Sequence, residues 1–248
     1  LSTPQVLADL LRRRGIDRET TIKFQLGWDN KRITIPIWND YGLLTNIRRY
    51  DLYKTHPIKI LPYKPGYEAT VLFPFKALDT SEWTVLCEGE MDCMLLHQNG
   101  FNALTPTGGV GTWSHSWDKY FVGKKIVICF DVNDPRDAGQ RCANRRAEEL
   151  TPYVKEVRIL RLPLHERGGD VTNYLHDHGH SAAELQELIS YAEVIASKKD
   201  DAPIKVKEEG GKLVHEVSLG QASSSSFYHK WIRTNCIVAG KDLAPFLP

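Results

Sequence analysis

Three short acidic stretches could do chemistry. In EGEMD, Glu88 is followed at once by Gly89 and then, three residues on, by Asp92. FDVNDPRDAG carries Asp131, Asn133, Asp134, Asp137 and Gly139, and GGDVTNYL carries Asp170. Apolar runs precede the first two directly (VLC and IVICF), and VRIL lies upstream of the third. Carboxylates gathered at the ends of buried strands repel one another unless cations sit among them. Oxygen ligands without cysteine or histidine suit Mg²⁺ or Mn²⁺, and such ions bridge to substrate phosphates. A pair of them can stabilise the attacking and leaving oxygens of a phosphoryl or nucleotidyl transfer. The competing reading makes helix caps of Asp92, Asp134 and Asp137. It accounts less well for Glu88 and Asp131, which stand at strand ends.

The surrounding pattern has to bring these acids together. From Trp83 onward strands and helices alternate: strands at 85–87, 102–105, 125–130 and 157–160, helices at 91–99 and 138–150. Near-continuous apolar strands separated by helices predict a mostly parallel sheet covered on both faces. In such sheets ligands sit beyond the carboxyl ends of the strands, where the acids fall. SAAELQELISYAEVIA opens with the capping box Ser181-x-x-Glu184 and has the spacing of an amphipathic helix.

The first 80 residues have a different grammar. STPQVLADLLRRRGI reads as a helix that Gly15 ends, and RITIPIWNDYGLLTNIRRYD as a hairpin of alternating isoleucines. A Pro- and Lys-bearing connection, HPIKILPYKPGYEATVLFPF, leads out of it. This part holds 13 Lys+Arg against 8 Asp+Glu, although the whole chain has a formal net charge of only +1. The expected organisation is a basic α+β subdomain over 1–80, the acidic sheet with a C-terminal helix over 81–197, and a linker with a β-rich segment over 198–248.

Composition narrows the class. The 248 residues are 42% hydrophobic and 25% charged, as in ordinary globular proteins. No apolar run nears the roughly 20 residues of a membrane span, and no signal peptide opens the chain. Five cysteines without a C-x-x-C pair read as reduced thiols, which points to the cytoplasm. A start at Leu1 reads as an excerpt or a processed product.

EGEMD resembles the first motif of TOPRIM domains, E-G-x-x-D. ICFDVNDPRDAGQRCANRRAEEL resembles the second, a strand followed by D-x-D-x-x-G and a helix, and GGDVTNYL resembles the element that follows in primases. The upstream hairpin, PIKILP and TVLFPF resemble segments ahead of the TOPRIM part in bacterial and phage primases. The resemblance implies a primase core that makes short RNA primers on a single-stranded DNA template from nucleoside triphosphates, with Mg²⁺ or Mn²⁺. It also implies a replicative helicase as partner, fused or separate, no membrane, and a phage or mobile-element setting. Carried over by position, Glu88 matches an acid/base or metal-shaping glutamate, Asp92 its orienting acid, and Asp131 and Asp170 metal-binding aspartates. Gly89, Gly109 and Gly139 match supporting glycines. Arg32, Arg48, Arg49, Lys59 and Lys64 fall where primases hold template and nucleotide.

The departures carry information. Asn133 stands where the family has its second aspartate, and three residues are inserted before Asp137-Ala138-Gly139. Either Asp134 or Asp137 could take over the second metal contact. If neither does, the same fold could bind nucleic acid without catalysis; a TOPRIM nuclease shares the acids too. Among weaker signals, PTGGVGTW lacks the G-K-[ST] of a phosphate-binding loop. Trp113, Trp117 and Phe121 read as core, and His176, His178 and His180 as a solvated helix end. Strands expected in KLVHEVSLG and NCIVAG flank a serine tract.

Overall fold

A computed structural model describes residues 3–66, 70–79 and 83–197, with the backbone of two further short strands. The chain divides into two compact units, Leu1–Lys198 and Lys199–Pro248. In the second, β11 (Ile204–Lys205) pairs antiparallel with β12 (Glu216–Val217). The serine tract, NCIVAG and Cys236 lie outside the described residues.

The first unit opens with α1 (Pro4–Arg14). Proline at its first position suits the fixed φ of that ring. Gly15, at φ 68°, closes it by donating its N–H to the Leu11 carbonyl at 2.8 Å. A short α2 (Arg18–Lys23), capped by the Asp17 carboxylate, follows; it was not expected from the sequence. Four antiparallel strands then form a sheet in chain order: β1 (Gly27–Trp28), β2 (Ile33–Trp38), β3 (Leu44–Tyr50) and β4 (Ile60–Pro62). Ile33, Ile35 and Ile37 alternate into the core as the hairpin reading requires. The segment read as a connection thus supplies β4, and also β5 (Leu72–Phe73), which joins the second sheet.

That sheet has six strands in the order β10-β9-β8-β6-β7-β5. The inner four, β6 (Trp83–Cys87), β7 (Ala103–Pro106), β8 (Lys125–Cys129) and β9 (Glu156–Ile159), are parallel. The edges, β5 and β10 (Glu193–Ser197), run antiparallel. Each face has its own core. Val85, Cys87, Val127 and Cys129 pack with α3 (Glu90–Gln98), α1 and the isoleucines of β2. Leu86, Ile126 and Ile128 pack with Phe121 and α4 (Ala138–Leu150). The first cluster is continuous between the two sheets, so they share one interior.

Two local expectations change. The helix expected over 181–196 stops at Tyr191 as α5 (Ala182–Tyr191), with its Ser181–Glu184 capping box intact. The reason is Arg158, whose Nη1 donates to the Ile189 and Ser190 carbonyls at 3.1 and 2.8 Å. Those carbonyls would otherwise seek partners in the next turn, and Glu193–Ser197 instead pairs with β9. The histidine run is not simply solvated either. His176 lies 2.9 Å from the Arg12 carbonyl, which docks a π-helical turn (Asn173–Asp177) on α1. Trp113 and Phe121 are packed together as read, 5.3 Å apart. Among the described residues no helix is long and apolar enough to cross a membrane.

Candidate active site

The parallel strands deliver their acids to one rim. Glu88 leaves β6, and its Oε2 accepts the N–H of Asp131, which leaves the neighbouring β8, at 3.3 Å. Gly89 then caps α3 in extended backbone. Asp92 does not cap that helix: its Oδ1 accepts from the Thr172 N–H at 3.3 Å and the Thr172 hydroxyl at 2.7 Å. This fastens the first motif to the third. Asp170 accepts the Asn173 N–H at 2.8 Å.

Gly139 lets α4 approach the strand end. A Cβ there would lie 2.6 Å from the Asp131 carbonyl oxygen. Backbone cannot yield as a flexible side chain does, so Gly139→Ala is expected to cost about 1–3 kcal/mol, read as a lower urea midpoint. Gly109, by contrast, has open space around it and is needed for its φ of 83°.

Electrostatics marks the rim as unsatisfied. Burial, then the charges of Glu88, Asp92 and Asp170, push Asp131 up to about 8. Burial and Asp92 raise Asp170 to about 6, against the pull of the Asn173 N–H, Arg14 and Lys59. Burial also raises Glu88, with Asp134 and Asp92 adding repulsion. Acids in this state call for a cation. Asp134 adds a further sign: its Oδ2 accepts the Gly139 N–H at 2.7 Å, while its buried Oδ1 has no partner. An all-oxygen set with an orphaned carboxylate oxygen fits a hard divalent ion. Among the described residues, no three acids are close enough together to hold one as they stand.

The three alternatives in the second motif separate. Asp134 is the one whose charge acts on Glu88. Asp137 is exposed, at φ 55°, and makes no capping bond. Asn133 is exposed, and its amide nitrogen is engaged. Its Nδ2 donates to the carbonyls of Leu164 at 2.7 Å and Glu166 at 3.3 Å, so the amide clasps the loop after β9.

The expected cations separate as well. Arg32 is corrected: it is buried, and its guanidinium donates to the carbonyls of Arg49, Ile58 and Lys59. Arg48 is corrected too, being buried in an ion pair with Glu90 at 3.0 Å. Neither can reach a phosphate from there. Arg49 is half-buried and pairs with Asp29 at 2.5 Å. Lys64 is exposed, and its carbonyl accepts from Asn46 at 3.1 Å. Lys59 is exposed, and its charge favours the ionised forms of Glu88, Glu90, Asp131 and Asp170. The sequence reading missed Arg14 and Tyr50. Arg14 Nε donates to the Tyr50 hydroxyl at 2.6 Å, and its Nη1 lies 4.0 Å from Asp170. In sequence, Arg14 is merely the last of three arginines at a helix end, where cations are ordinary.

Comparison with known proteins fits this geometry. Residues 85–175 match the family described as Toprim-like. The DNA primase of Rickettsia prowazekii (strain Madrid E) is 28% identical over 186 residues, covering 66% of this chain and 30% of that protein. The DNA primase of Pasteurella multocida (strain Pm70) is 26% identical over 136 residues, covering 54% and 23%. The chain thus spans under a third of the length of either. Among solved structures, the Aquifex aeolicus primase (zinc-binding and RNA polymerase domains) aligns with a TM-score of 0.63 at 19% identity, covering 78% of this chain and 57% of that one. A DnaG catalytic core aligns at 0.61 and 19%, covering 78% and 75%. A DnaG catalytic domain bound to single-stranded DNA aligns at 0.57 and 17%, covering 78% and 74%.

Proposed function

We propose that this chain, which carries a Toprim-like domain within the fold of the DNA primase catalytic cores, joins nucleotides into short RNA primers on single-stranded DNA. The observation that carries the reading is the shared rim of Glu88 and Asp131, acids from adjacent parallel strands whose pKa values burial and neighbouring carboxylates raise. Glu88, Asp131, Asp134 and Asp170 would hold Mg²⁺ or Mn²⁺. When bound, such an ion stabilises charge on the attacking and leaving oxygens of a nucleotidyl transfer. Glu88, whose pKa burial raises, suits a base that accepts the proton of the attacking 3′-hydroxyl. Lys59, the exposed cation whose charge reaches the acids, suits the triphosphate. Arg14 and Tyr50 hold Asp170 in position. A helicase partner belongs to the same reading.

The test is nucleotide incorporation by the purified chain on mixed-sequence single-stranded DNA with Mg²⁺ or Mn²⁺. Asp134→Ala is expected to lower the rate at least a hundredfold, and Asp137→Ala by less than threefold. Equal losses would mean that the Asp134 carboxylate matters only to the loop. The Asn133 clasp favours one second reading, a module that binds DNA without extending it. DNA binding by a wild-type chain that incorporates nothing at any metal concentration would select it.

A further inference from the structure

The third acidic motif reaches the rim on a stretch with no helix or strand of its own. Ten residues lie between Ile159, the end of β9, and Asp170. Their backbone is tied to the second motif by a bridge and a clasp. Val132 and Gly169 form an isolated antiparallel bridge, each donating its N–H to the other's carbonyl, at 2.9 and 3.0 Å. Beside it, the Asn133 amide reaches the carbonyls of Leu164 and Glu166.

The register of the bridge decides which residues face each other. One step from the Val132–Gly169 pair, Asp131 stands opposite Asp170. When an antiparallel pair exchanges both hydrogen bonds, the pair flanking it exchanges none, and its side chains lie closer together. Accordingly the Asp131 N–H goes to Glu88, and the Asp170 N–H goes to the Asn173 amide oxygen at 3.0 Å. Asp170 is also among the charges that raise Asp131.

An isolated bridge holds its register weakly, because no neighbouring pair resists a slip. Gly169 cannot stiffen it with a side chain, since a Cβ there would lie 3.0 Å from Leu164 Cβ and 3.3 Å from Val132 Cγ2. Asn133 supplies the constraint. Its φ of 56° lies in the left-handed region, which Asn and Asp tolerate better than other residues with side chains. Conformation therefore does not choose between those two, but the partners do. Both are carbonyl oxygens, to which an amide NH₂ can donate and a carboxylate cannot.

We propose that Asn133 is a positioning residue, whose amide nitrogen fixes the loop after β9 in the register that sets Asp170 opposite Asp131. The side chain that departs from the resembled motif thus serves the acid rim through the backbone of the third motif. This deepens the proposed function and rests on it only for the rim's role as a divalent-ion site.

The experiment compares the metal-free wild type with Asn133→Gly and Asn133→Asp by amide hydrogen exchange, then titrates each with Mn²⁺ alone in a calorimeter. Glycine takes this φ freely and aspartate nearly so, hence neither substitution strains the backbone. In both variants the Val132 and Gly169 amides are expected to exchange at least about fivefold faster, the scale of a lost intramolecular hydrogen bond. Ile126 and Ile128 in β8 should keep their wild-type protection. Mn²⁺ affinity should fall at least about fivefold in both, and further in Asn133→Asp, whose carboxylate would face two carbonyl oxygens. A side chain that ligated the ion directly would give the opposite sign, because an added carboxylate charge tightens a hard-cation site. Tighter Mn²⁺ binding by Asn133→Asp therefore overturns the proposal. Unchanged exchange at Val132 and Gly169 does so too, as does a loss of protection that extends through β8 and makes Asn133 a general support of the fold. If Asn133→Asp does not fold, Asn133→Gly is read against the same criteria. A wild-type chain that binds Mn²⁺ through the clasped loop but joins no nucleotides sustains this proposal and removes the enzymatic one, so the two failures are distinct.

Discussion

Asp131→Asn is expected to raise the melting temperature of the metal-free protein by about 4–8 °C at pH 8 while abolishing nucleotide incorporation, a stabilisation of about 2 kcal/mol. The cause is the position of Asp131 at the end of a buried strand, where burial and three neighbouring acids push it up to about 8. For a carboxyl group raised on folding, the folded state holds the proton that the unfolded state has released. Stability therefore falls as pH climbs from about 4 toward 8, and the loss is complete above that. Asparagine carries no charge and escapes the loss. The advantage of the variant should accordingly vanish near pH 4, grow through neutrality and level off above pH 8. Acting alone, Asp131 would give a larger effect, but Glu88 and Asp170 share the repulsion and redistribute protons when it is removed. Thermal unfolding in a chelator across this range is the measurement. A variant less stable than wild type at pH 8 would make Asp131 a structural acid.

The second large effect concerns Arg48 and Glu90, a buried pair that ties β3 to α3. Burial raises Glu90 even with the guanidinium 3.0 Å away, so desolvation outweighs the attraction. Such pairs add little net stability, yet breaking one costs about 3–5 kcal/mol because a charge is left buried and alone. The two single variants should differ. Arg48→Met leaves a carboxyl that can protonate, so its penalty should shrink as pH falls toward 5. Glu90→Leu strands a guanidinium that cannot lose its proton, so its penalty should be larger and nearly independent of pH. The double variant should recover most of the loss, as apolar replacements of buried pairs do. Urea midpoints at pH 5 and 8 decide it; equal, pH-independent losses from both single variants would refute the asymmetry.

These predictions separate what the residue pattern made legible from what it did not. Apolar runs ending in acids marked β6 and β8, because only a doubly covered parallel sheet needs such runs. The bounds of α4 and the capping box at Ser181 were readable, since both rest on neighbours in sequence. Arg32 and Arg48 were not. An arginine in an alternating strand looks alike whether it meets solvent or a buried partner, and Glu90 lies 42 residues from Arg48. Arg158 was opaque for the same reason, so the end of α5 was misjudged. The insertion around Asn133 left Asp134 and Asp137 equivalent in sequence. The 2.7 Å bond from Gly139, the orphaned Oδ1 and the repulsion that Asp134 exerts on Glu88 separate them in the structure.

The Arg14–Tyr50–Asp170 contact bears on how such a protein can be cut and recombined. The acids occupy the later sheet, but a guanidinium that offsets them comes from the first helix and is steadied by a tyrosine of the earlier sheet. A graft carrying only residues 83–197 would transplant the acids and leave that positive charge behind. It would also expose the isoleucines of β2 in the donor remnant and the matching face of α3 in the transplant. The boundary suggested by composition is therefore a poor place for an exchange. A functional chimera has to inherit the first fifty residues together with the acidic sheet, as one heritable piece.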